Sequence, residues 1–186
     1  MSIPRLDRLQ TPERRTLILD GRTWAEVSLA ALVANFHVVR KHVGENVAVC
    51  AVIKADGYGH GAVECARALE SEGATWLGVT DANEGVALRG AGVGTRILLM
   101  TGIWKGEEEG IAAQNLTPTV WEPWHVERLE RAAAKRVITL PVHLKLDTGM
   151  NRLGARKKRC RVSARNSLHA STCAWKASAR TSRPPR

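Results

Sequence analysis

The sequence predicts an α/β protein built on a parallel β-sheet, and two observations predict it. Apolar, strand-like runs alternate along the chain with helical segments of about 10 to 15 residues, which is the pattern of βαβ units. Most of these runs are continuously apolar, as expected where both faces of a sheet are covered. An open doubly wound sheet and a (β/α) barrel both fit, because periodicity alone does not distinguish them.

The first helix is predicted after Ser28, a residue type that caps helix N-termini. Its apolar residues recur at helical spacing and share one face: Leu29, Leu32, Val33, Phe36, Val39 and Val43. The run VAVCAVI at 47–53 predicts the first strand. The segment GAVECARALESEG at 61–73 predicts a second helix, which stops at Gly73 because glycine commonly ends helices.

Strands and helices continue to alternate as far as residue 147. The strands are predicted at 76–80, 96–101, 117–121 and 140–147, and the helices at 81–92, 106–114 and 122–136. Asp81 is a suitable N-cap for the first of these helices. Pro123 falls in the first turn of the last helix, where a missing N–H group costs no hydrogen bond.

The net charge of +10 is concentrated at the end of the chain. Residues 155–186 hold ten of the 28 basic residues and no acidic residue, so residues 1–154 carry 18 of each sign. A nucleic-acid-binding domain more often spreads basic residues over a folded face, so no nucleic-acid partner is expected. The composition divides the chain into a domain at 1–154 and a basic, low-order tail at 155–186.

The sequence also argues against several other classes of protein. No apolar run approaches the roughly 20 residues that span a bilayer, and the charged N-terminus lacks the apolar core of a signal peptide. We therefore expect a cytoplasmic protein without a membrane partner. The four cysteines form no C-x-x-C pair, so neither a metal site nor a disulfide framework is expected.

The segment AVIKADGYGHGAVECA at 51–66 is the first candidate for a functional site. Its apolar run ends at Lys54, and three glycines then alternate with Tyr58 and His60, which suits close approach of the backbone to a ligand. The helix that follows begins near Gly61, and its N-terminus would favour a phosphate. On its own, a lysine in this place is more often a solvated strand end.

Alternation along the strands gives this lysine a companion on another strand. Lys54 should share a face of the first strand with Cys50 and Val52, and Lys145 should share a face of the fifth strand with His143. Two strands thus bring a lysine to or near their carboxyl ends. In parallel α/β proteins, ligands bind at that edge of the sheet.

Two motifs together resemble one family. VIKADGYGHG at 52–61 and LKLDTGMNRLG at 144–154 resemble the two signature segments of bacterial alanine racemases, and the segments at 23–40 and 68–92 are similar to that family as well. The resemblance covers about residues 20 to 156. It implies a (β/α)8 barrel of the TIM type, of which this chain would hold about five of eight βα units, without the C-terminal β domain.

The resemblance also implies roles for four residues. Lys54 matches the lysine that holds pyridoxal phosphate as a Schiff base and acts as the base on the D-alanine side. Tyr58 matches a tyrosine that contacts the cofactor phosphate, and Arg152 an arginine that binds around the cofactor and the substrate carboxylate. Lys145 matches a lysine that is carbamylated in many members and orients that arginine; an unmodified lysine paired with Asp147 is equally compatible.

The family's activity is the interconversion of L-alanine and D-alanine by a homodimer, which supplies D-alanine for peptidoglycan. Its second base is a tyrosine of the C-terminal domain that reaches the partner's site. Tyr58 is the single tyrosine of this chain, so the resemblance implies an inactive fragment. A non-enzymatic protein that binds pyridoxal phosphate is an alternative.

The tail supports different interpretations. Residues 155–186 are rich in arginine, serine and alanine, as in the product of a shifted reading frame of a GC-rich gene, so a frameshifted end is expected. A genuine disordered basic tail is the alternative. A protein that binds nucleic acid or anionic surfaces through that tail remains a further alternative for the function.

Overall fold

The computed structural model describes residues 25–156 and the backbone of residues 173–180. In these residues six strands form one sheet: β1 (Cys50–Val52), β2 (Trp76–Val79), β3 (Arg96–Leu99), β4 (Thr117–Val120), β5 (Leu140–Leu146) and β6 (Cys173–Arg180). The helical segments are α1 (Leu29–Val43), α2 (Lys54–Tyr58), α3 (Ala62–Ser71), α4 (Ala82–Gly90), α5 (Glu108–Ala113) and α6 (Pro123–Arg136). Each pair of neighbouring strands is parallel.

The strand order decides between the two architectures. The strands follow one another in chain order from β1 to β6, whereas a doubly wound sheet reverses its order once. The rings of Trp76 on β2 and His143 on β5 lie 5.3 Å apart, although β3 and β4 run between them. In a flat sheet three strand spacings would separate them by about 14 Å. The sheet is therefore curled, as in a barrel, and the predicted barrel-type α/β fold is confirmed.

One apolar cluster joins the outer face of this curled sheet to the helices. Alternate strand residues are fully buried there: Leu77, Val79, Ile97, Leu99, Val120, Leu140 and Val142. Five of the helices each contribute a large buried partner: Phe36 from α1, Leu69 from α3, Leu88 from α4, Ile111 from α5 and Leu129 from α6. Burial of each such side chain stabilises the fold by about 1.5–3 kcal/mol. Within residues 25–156, every helix falls short of the length and apolar character that bilayer crossing requires.

The helix start signals in the sequence are confirmed. The Ser28 hydroxyl accepts a hydrogen bond from the Ala31 N–H group at 3.2 Å, so it caps α1. Asp81 caps α4 by accepting from the N–H groups of Asn83 and Glu84. Pro123 occupies the first turn of α6. These short-range rules predicted the helix starts because each depends on local backbone groups alone.

β6 lies in the tail, where the sequence predicts no regular element. That prediction is wrong for Cys173–Arg180, which pair in parallel with β5. The edge of β5 offers backbone N–H and C=O groups, and a strand can pair with them without an apolar period of its own. Residues 157–172 and 181–186, also assigned to the low-order tail, lie outside the described residues. The domain boundary at residue 154 stays a prediction.

His125 is a buried titratable group in the first turn of α6. Its ring lies between the indoles of Trp121 and Trp124, with ring centroids 4.9 and 4.2 Å away, and only 3% of the residue is exposed. Its Nδ1 atom accepts a hydrogen bond from the Trp121 N–H group at 3.4 Å. Burial lowers the pKa of His125 from 6.5 to about 4, because the charged imidazolium would lose its hydration.

This pKa makes stability depend on pH. The unfolded chain protonates His125 near its ordinary pKa of 6.5 and the folded chain only near about 4. The contribution is therefore complete above the higher value and is lost as the pH falls towards the lower one. We expect the free energy of unfolding to fall by about 2 kcal/mol between about pH 6.5 and 4.5 from this group.

Urea unfolding across that range measures the effect. The His125→Asn variant should flatten the pH dependence, while the exposed His42→Asn variant should leave it close to that of the wild type. Equal slopes for the wild type and His125→Asn would show that His125 is not the group responsible.

Candidate functional site

Lys54 lies just beyond the carboxyl end of β1. The strand ends at Val52, and Ile53 leaves the extended region with φ −125° and ψ 24°, so Lys54 begins α2 instead of extending the strand. The predicted alternation therefore holds only for Cys50 and Val52. Both side chains point to the inner face of the sheet, where each lies 3.4 Å from the place of a Cβ atom built on Gly78.

Lys54 and Tyr58 lie together. The Lys54 Nζ atom is 5.9 Å from the centroid of the Tyr58 ring, a distance at which a cation and an aromatic face attract each other. Lys54 is half-buried, while Tyr58 is 59% exposed. Among the residues that the structure describes, no carboxylate forms an ion pair with the Lys54 amine. The amine is thus open to a ligand beside an accessible phenol.

The chain between these two side chains forms a left-handed turn. The φ angles are +51° at Ala55, +53° at Asp56, +63° at Gly57 and +57° at Tyr58. Left-handed backbone costs roughly 1–2 kcal/mol at each residue that carries a Cβ atom. Strain of this kind persists only where surrounding contacts hold it, and it is concentrated at functional sites.

Hydrogen bonds to the backbone hold the far end of the turn. Gly57 N–H donates to the Ile53 carbonyl, and the Asp56 carbonyl accepts from Gly61 N–H, both at 2.9 Å. The Asp56 carboxylate accepts from Ala62 N–H at 2.8 Å. Ala62 is the first residue of α3, so the N–H group that the sequence suggested for a phosphate already has an acidic partner. The phosphate preference of this helix N-terminus stays a prediction.

Glu84 holds the near end of the turn, and sequence reasoning did not single it out. Its Oε1 atom accepts from Ala55 N–H and its Oε2 atom from Thr80 N–H, both at 2.6 Å. Glu84 lies in the first turn of α4, three residues after the N-cap Asp81. The pattern D-x-x-E at 81–84 is a capping-box signal and could have drawn attention to it.

The second motif contains Lys145 near the end of β5. Asp147 follows, and its carboxylate accepts from the N–H groups of Gly149 and Asn151, both at 3.0 Å. Backbone hydrogen bonds from Asn151 and Gly149 lower the pKa of Asp147. In the described part of the chain no ion pair joins Asp147 to Lys145, so the structure does not show the pairing that the sequence left open.

Arg152 lies on the loop that follows. Ala155 N–H donates to the Lys145 carbonyl at 2.9 Å, and Asp147 N–H donates to the Ala155 carbonyl at 3.0 Å. These two bonds close the loop against the end of β5. Arg152 is exposed on the closed loop, close in the chain to Lys145.

The four predicted site residues therefore lie in two segments at the carboxyl edge of one parallel sheet, and each segment contributes one pair along the chain. Lys54 and Tyr58 follow β1, while Lys145 and Arg152 belong to β5 and its loop. Three strands, β2 to β4, lie between the pairs. Within residues 25–156, no hydrogen bond or ion pair connects one pair to the other.

A cavity of about 650 Å³ lies between α1 and β1 and reaches the turn at Gly57 and Tyr58. Its walls are mainly apolar, with Phe36 and Leu69 among them. Lys54 itself is not among the residues that line it, although its neighbour Ile53 is.

Comparison with known proteins relates this arrangement to a family. Residues 27–173 match the family described as alanine racemase, N-terminal domain. The chain belongs to the alanine racemase family. The match ends at Cys173, beyond the motif at 144–154, so it continues past the last segment that carries the resemblance in the sequence.

Individual alanine racemases agree with this assignment. The alanine racemase of Synechocystis sp. is 46% identical over 134 residues, which are 72% of this chain and 36% of that protein. The structure of the Clostridium difficile 630 alanine racemase in complex with cycloserine matches with a TM-score of 0.81 and 29% identity, over 86% of this chain and 44% of that one. The Bartonella henselae alanine racemase with covalently bound pyridoxal phosphate matches with a TM-score of 0.71 and 27% identity, over 82% and 44%.

These values also give the share of each relative's length that this chain covers. The chain spans little more than a third of the length of its Synechocystis relative. The structural matches confirm the barrel-type fold and show that only part of the barrel is present here.

The alanine racemase motif at 144–154 ends at Gly154, whose backbone no other residue fits. Its φ is +125°, and a Cβ atom would lie 2.7 Å from Asp147 N and 3.0 Å from Leu146 C. We expect Gly154→Ala to open the loop that carries Arg152 and to lower the free energy of unfolding by roughly 1–3 kcal/mol.

Gly149→Ala is the matched control. Gly149 has a similar φ of +137°, but no atom lies within 4 Å of its would-be Cβ, so this variant has the backbone strain without the collision. Urea unfolding should show the larger loss for Gly154→Ala. Equal losses in the two variants would contradict the role of the collision.

Proposed function

We propose that this chain carries the lysine that binds pyridoxal phosphate in an alanine racemase, an isomerase that interconverts L-alanine and D-alanine. The observation that carries the proposal is the open amine of Lys54 beside Tyr58, on a strained turn at the carboxyl end of β1. Membership of the family supports it, as does the covalently bound cofactor of the Bartonella henselae relative.

The residues present fit the chemistry of pyridoxal phosphate. The cofactor carries an aldehyde, which reacts with a primary amine, and a phosphate, which takes hydrogen-bond donors. Lys54 offers the amine, and Tyr58 offers an exposed hydroxyl four residues further along the chain. The guanidinium of Arg152 suits either a phosphate or a carboxylate, because its planar donors match two oxygens at once.

When bound, pyridoxal phosphate supplies an electron sink for the charge that develops as the Cα proton of alanine leaves. Lys54 Nζ is the group of this chain that we assign to move that proton on the D-alanine side, and an amine does so only in its neutral form. Tyr58 would hold the phosphate and so fix the cofactor beside Lys54.

Lys145 on β5 and Arg152 on the loop that follows would bind the carboxylate end of the substrate. Arg152 would bind the alanine carboxylate and hydrogen-bond around the cofactor, and Lys145 would orient Arg152, either carbamylated or as a free amine. The loop closure between the Lys145 carbonyl and Ala155 N–H supports this assignment, because it ties the loop of Arg152 to β5.

Racemisation needs a proton-transfer group on each face of Cα. Tyr58 is the single tyrosine of these 186 residues and is assigned to the phosphate, so we propose that this chain alone does not racemise alanine. In the cytoplasmic homodimer that the family implies, the product D-alanine would supply peptidoglycan precursors. In that reaction this chain would bind the cofactor and supply one of the two proton-transfer groups.

Covalent trapping tests the proposal. Incubation of the purified chain with pyridoxal phosphate, followed by borohydride reduction and peptide mapping, should place the label on Lys54. Lys54→Ala should lose that label, while Lys105→Ala, which removes an exposed lysine after β3, should keep it. Conversion of L-alanine to D-alanine should stay at background, because a missing acid or base typically costs about 10²–10⁴ in rate.

Two results would contradict this account in different ways. Label spread over exposed lysines, without preference for Lys54, would reject the cofactor site. Conversion of alanine that depends on Lys54 and clearly exceeds background would reject the view that the chain lacks its second base.

A further inference from the structure

The turn after Lys54 needs an external contact to persist. Ala55 and Asp56 hold left-handed backbone without being glycine, so the turn is strained from its first residue. Its far end is anchored by the Asp56 carboxylate on Ala62 N–H. Its near end, directly after Lys54, is anchored by the Glu84 carboxylate on Ala55 N–H.

The contact of Glu84 crosses from one βα unit to the next. Ala55 lies 29 residues before Glu84 and follows β1, while Thr80, the second donor, follows β2. One carboxylate thus joins the chain just beyond the carboxyl ends of two neighbouring strands. Both bonds have a carboxylate oxygen as acceptor, and bonds of this kind are shorter and stronger than bonds between neutral groups.

This arrangement differs from the ordinary role of a glutamate at that helix position. In a capping box the glutamate bonds back to the N–H group of the capping residue, which here is Asp81. Glu84 bonds instead to Thr80 and, across the sheet edge, to Ala55. Asp81 already caps α4 by accepting from the N–H groups of Asn83 and Glu84. The bond that Glu84 accepts from Ala55 N–H therefore serves the turn and not its own helix.

We propose that Glu84 is a positioning residue for Lys54. Its carboxylate fixes the peptide that follows Lys54, and thereby the direction in which the Lys54 side chain leaves β1 towards Tyr58. For the binding of pyridoxal phosphate this inference rests on the function proposed above. The clamp itself involves only residues of this chain and can be tested without the cofactor.

The test uses the full chain and a matched glutamate. Glu84→Ala removes both acceptor oxygens, and Glu84→Gln keeps one of them with nearly the same shape. Glu107→Ala and Glu107→Gln are the controls, because Glu107 accepts from Trp104 N–H at 2.8 Å beside α5 in the next unit and does not contact the turn. Thermal unfolding reports the general loss of stability for each variant.

Two measurements without cofactor report on the clamp. Hydrogen exchange at the Ala55 and Thr80 amides should be about tenfold faster or more in Glu84→Ala and less accelerated in Glu84→Gln, as loss of a charged acceptor predicts. Acetylation of Lys54 across a range of pH, relative to exposed Lys41, should change its profile in the Glu84 variants only. A purely structural role would lower the melting temperature in both series and leave the relative Lys54 profile unchanged.

The cofactor provides the third measurement. The concentration of pyridoxal phosphate that gives half-maximal trapping at Lys54 should rise about tenfold in Glu84→Ala and remain within about twofold in Glu107→Ala. If Glu84→Ala does not fold, Glu84→Gln is compared with Glu107→Gln instead, and the expected rise in the half-maximal concentration is smaller. Folded Glu84 variants that match the Glu107 controls in amide exchange and Lys54 acetylation would overturn the proposal. Absence of trapping at Lys54 in the wild type would overturn the proposed function instead. Amide hydrogen exchange and Lys54 acetylation would still test the positioning role of Glu84 in that case.

Discussion

The hydrogen bond from Ala55 N–H to Glu84 holds the feature on which the candidate site depends. β1 ends at Val52 and α3 begins at Ala62, so a short segment must reverse the chain and still present Lys54 and Tyr58. The chain achieves this with left-handed backbone, whose cost is offset by hydrogen bonds from its two ends. Without those bonds the segment would relax out of the left-handed conformation, and the Lys54 amine would no longer be held beside the Tyr58 ring.

The curl of the sheet brings the second motif to the same edge. Helices cover the outer face with one apolar cluster, so polar and charged strand residues are left to the inner face and the strand ends. The contact between Trp76 and His143 shows how far the curl brings distant strands towards each other. Arg152 then depends on a loop that closes only because Gly154 lets the backbone approach Asp147. Two strained or crowded backbone segments thus serve one edge of the barrel.

Much of the fold could be predicted from single residues, and the site only in part. Ser28, Asp81 and Pro123 predicted helix starts because caps are local, and continuous apolar runs predicted the strands because burial contributes most to their stability. The left-handed turn was not predictable, since alanine and aspartate rarely adopt that backbone and only Gly57 hints at it. β6 was missed because strand pairing at a sheet edge needs no apolar pattern. The roles of Lys54, Tyr58, Lys145 and Arg152 came from resemblance, and Glu84 became visible only through its contacts.

The backbone of the turn offers the most direct test of the positioning of Lys54. One-bond Cα–Hα couplings measured by NMR on the labelled chain distinguish positive from negative φ, residue by residue. We expect positive φ at both Ala55 and Asp56 in the free chain, before any cofactor is added. Values typical of negative φ or of averaged, unfolded backbone at these two residues would show that the turn is not held, and the proposed positioning of Lys54 would be wrong.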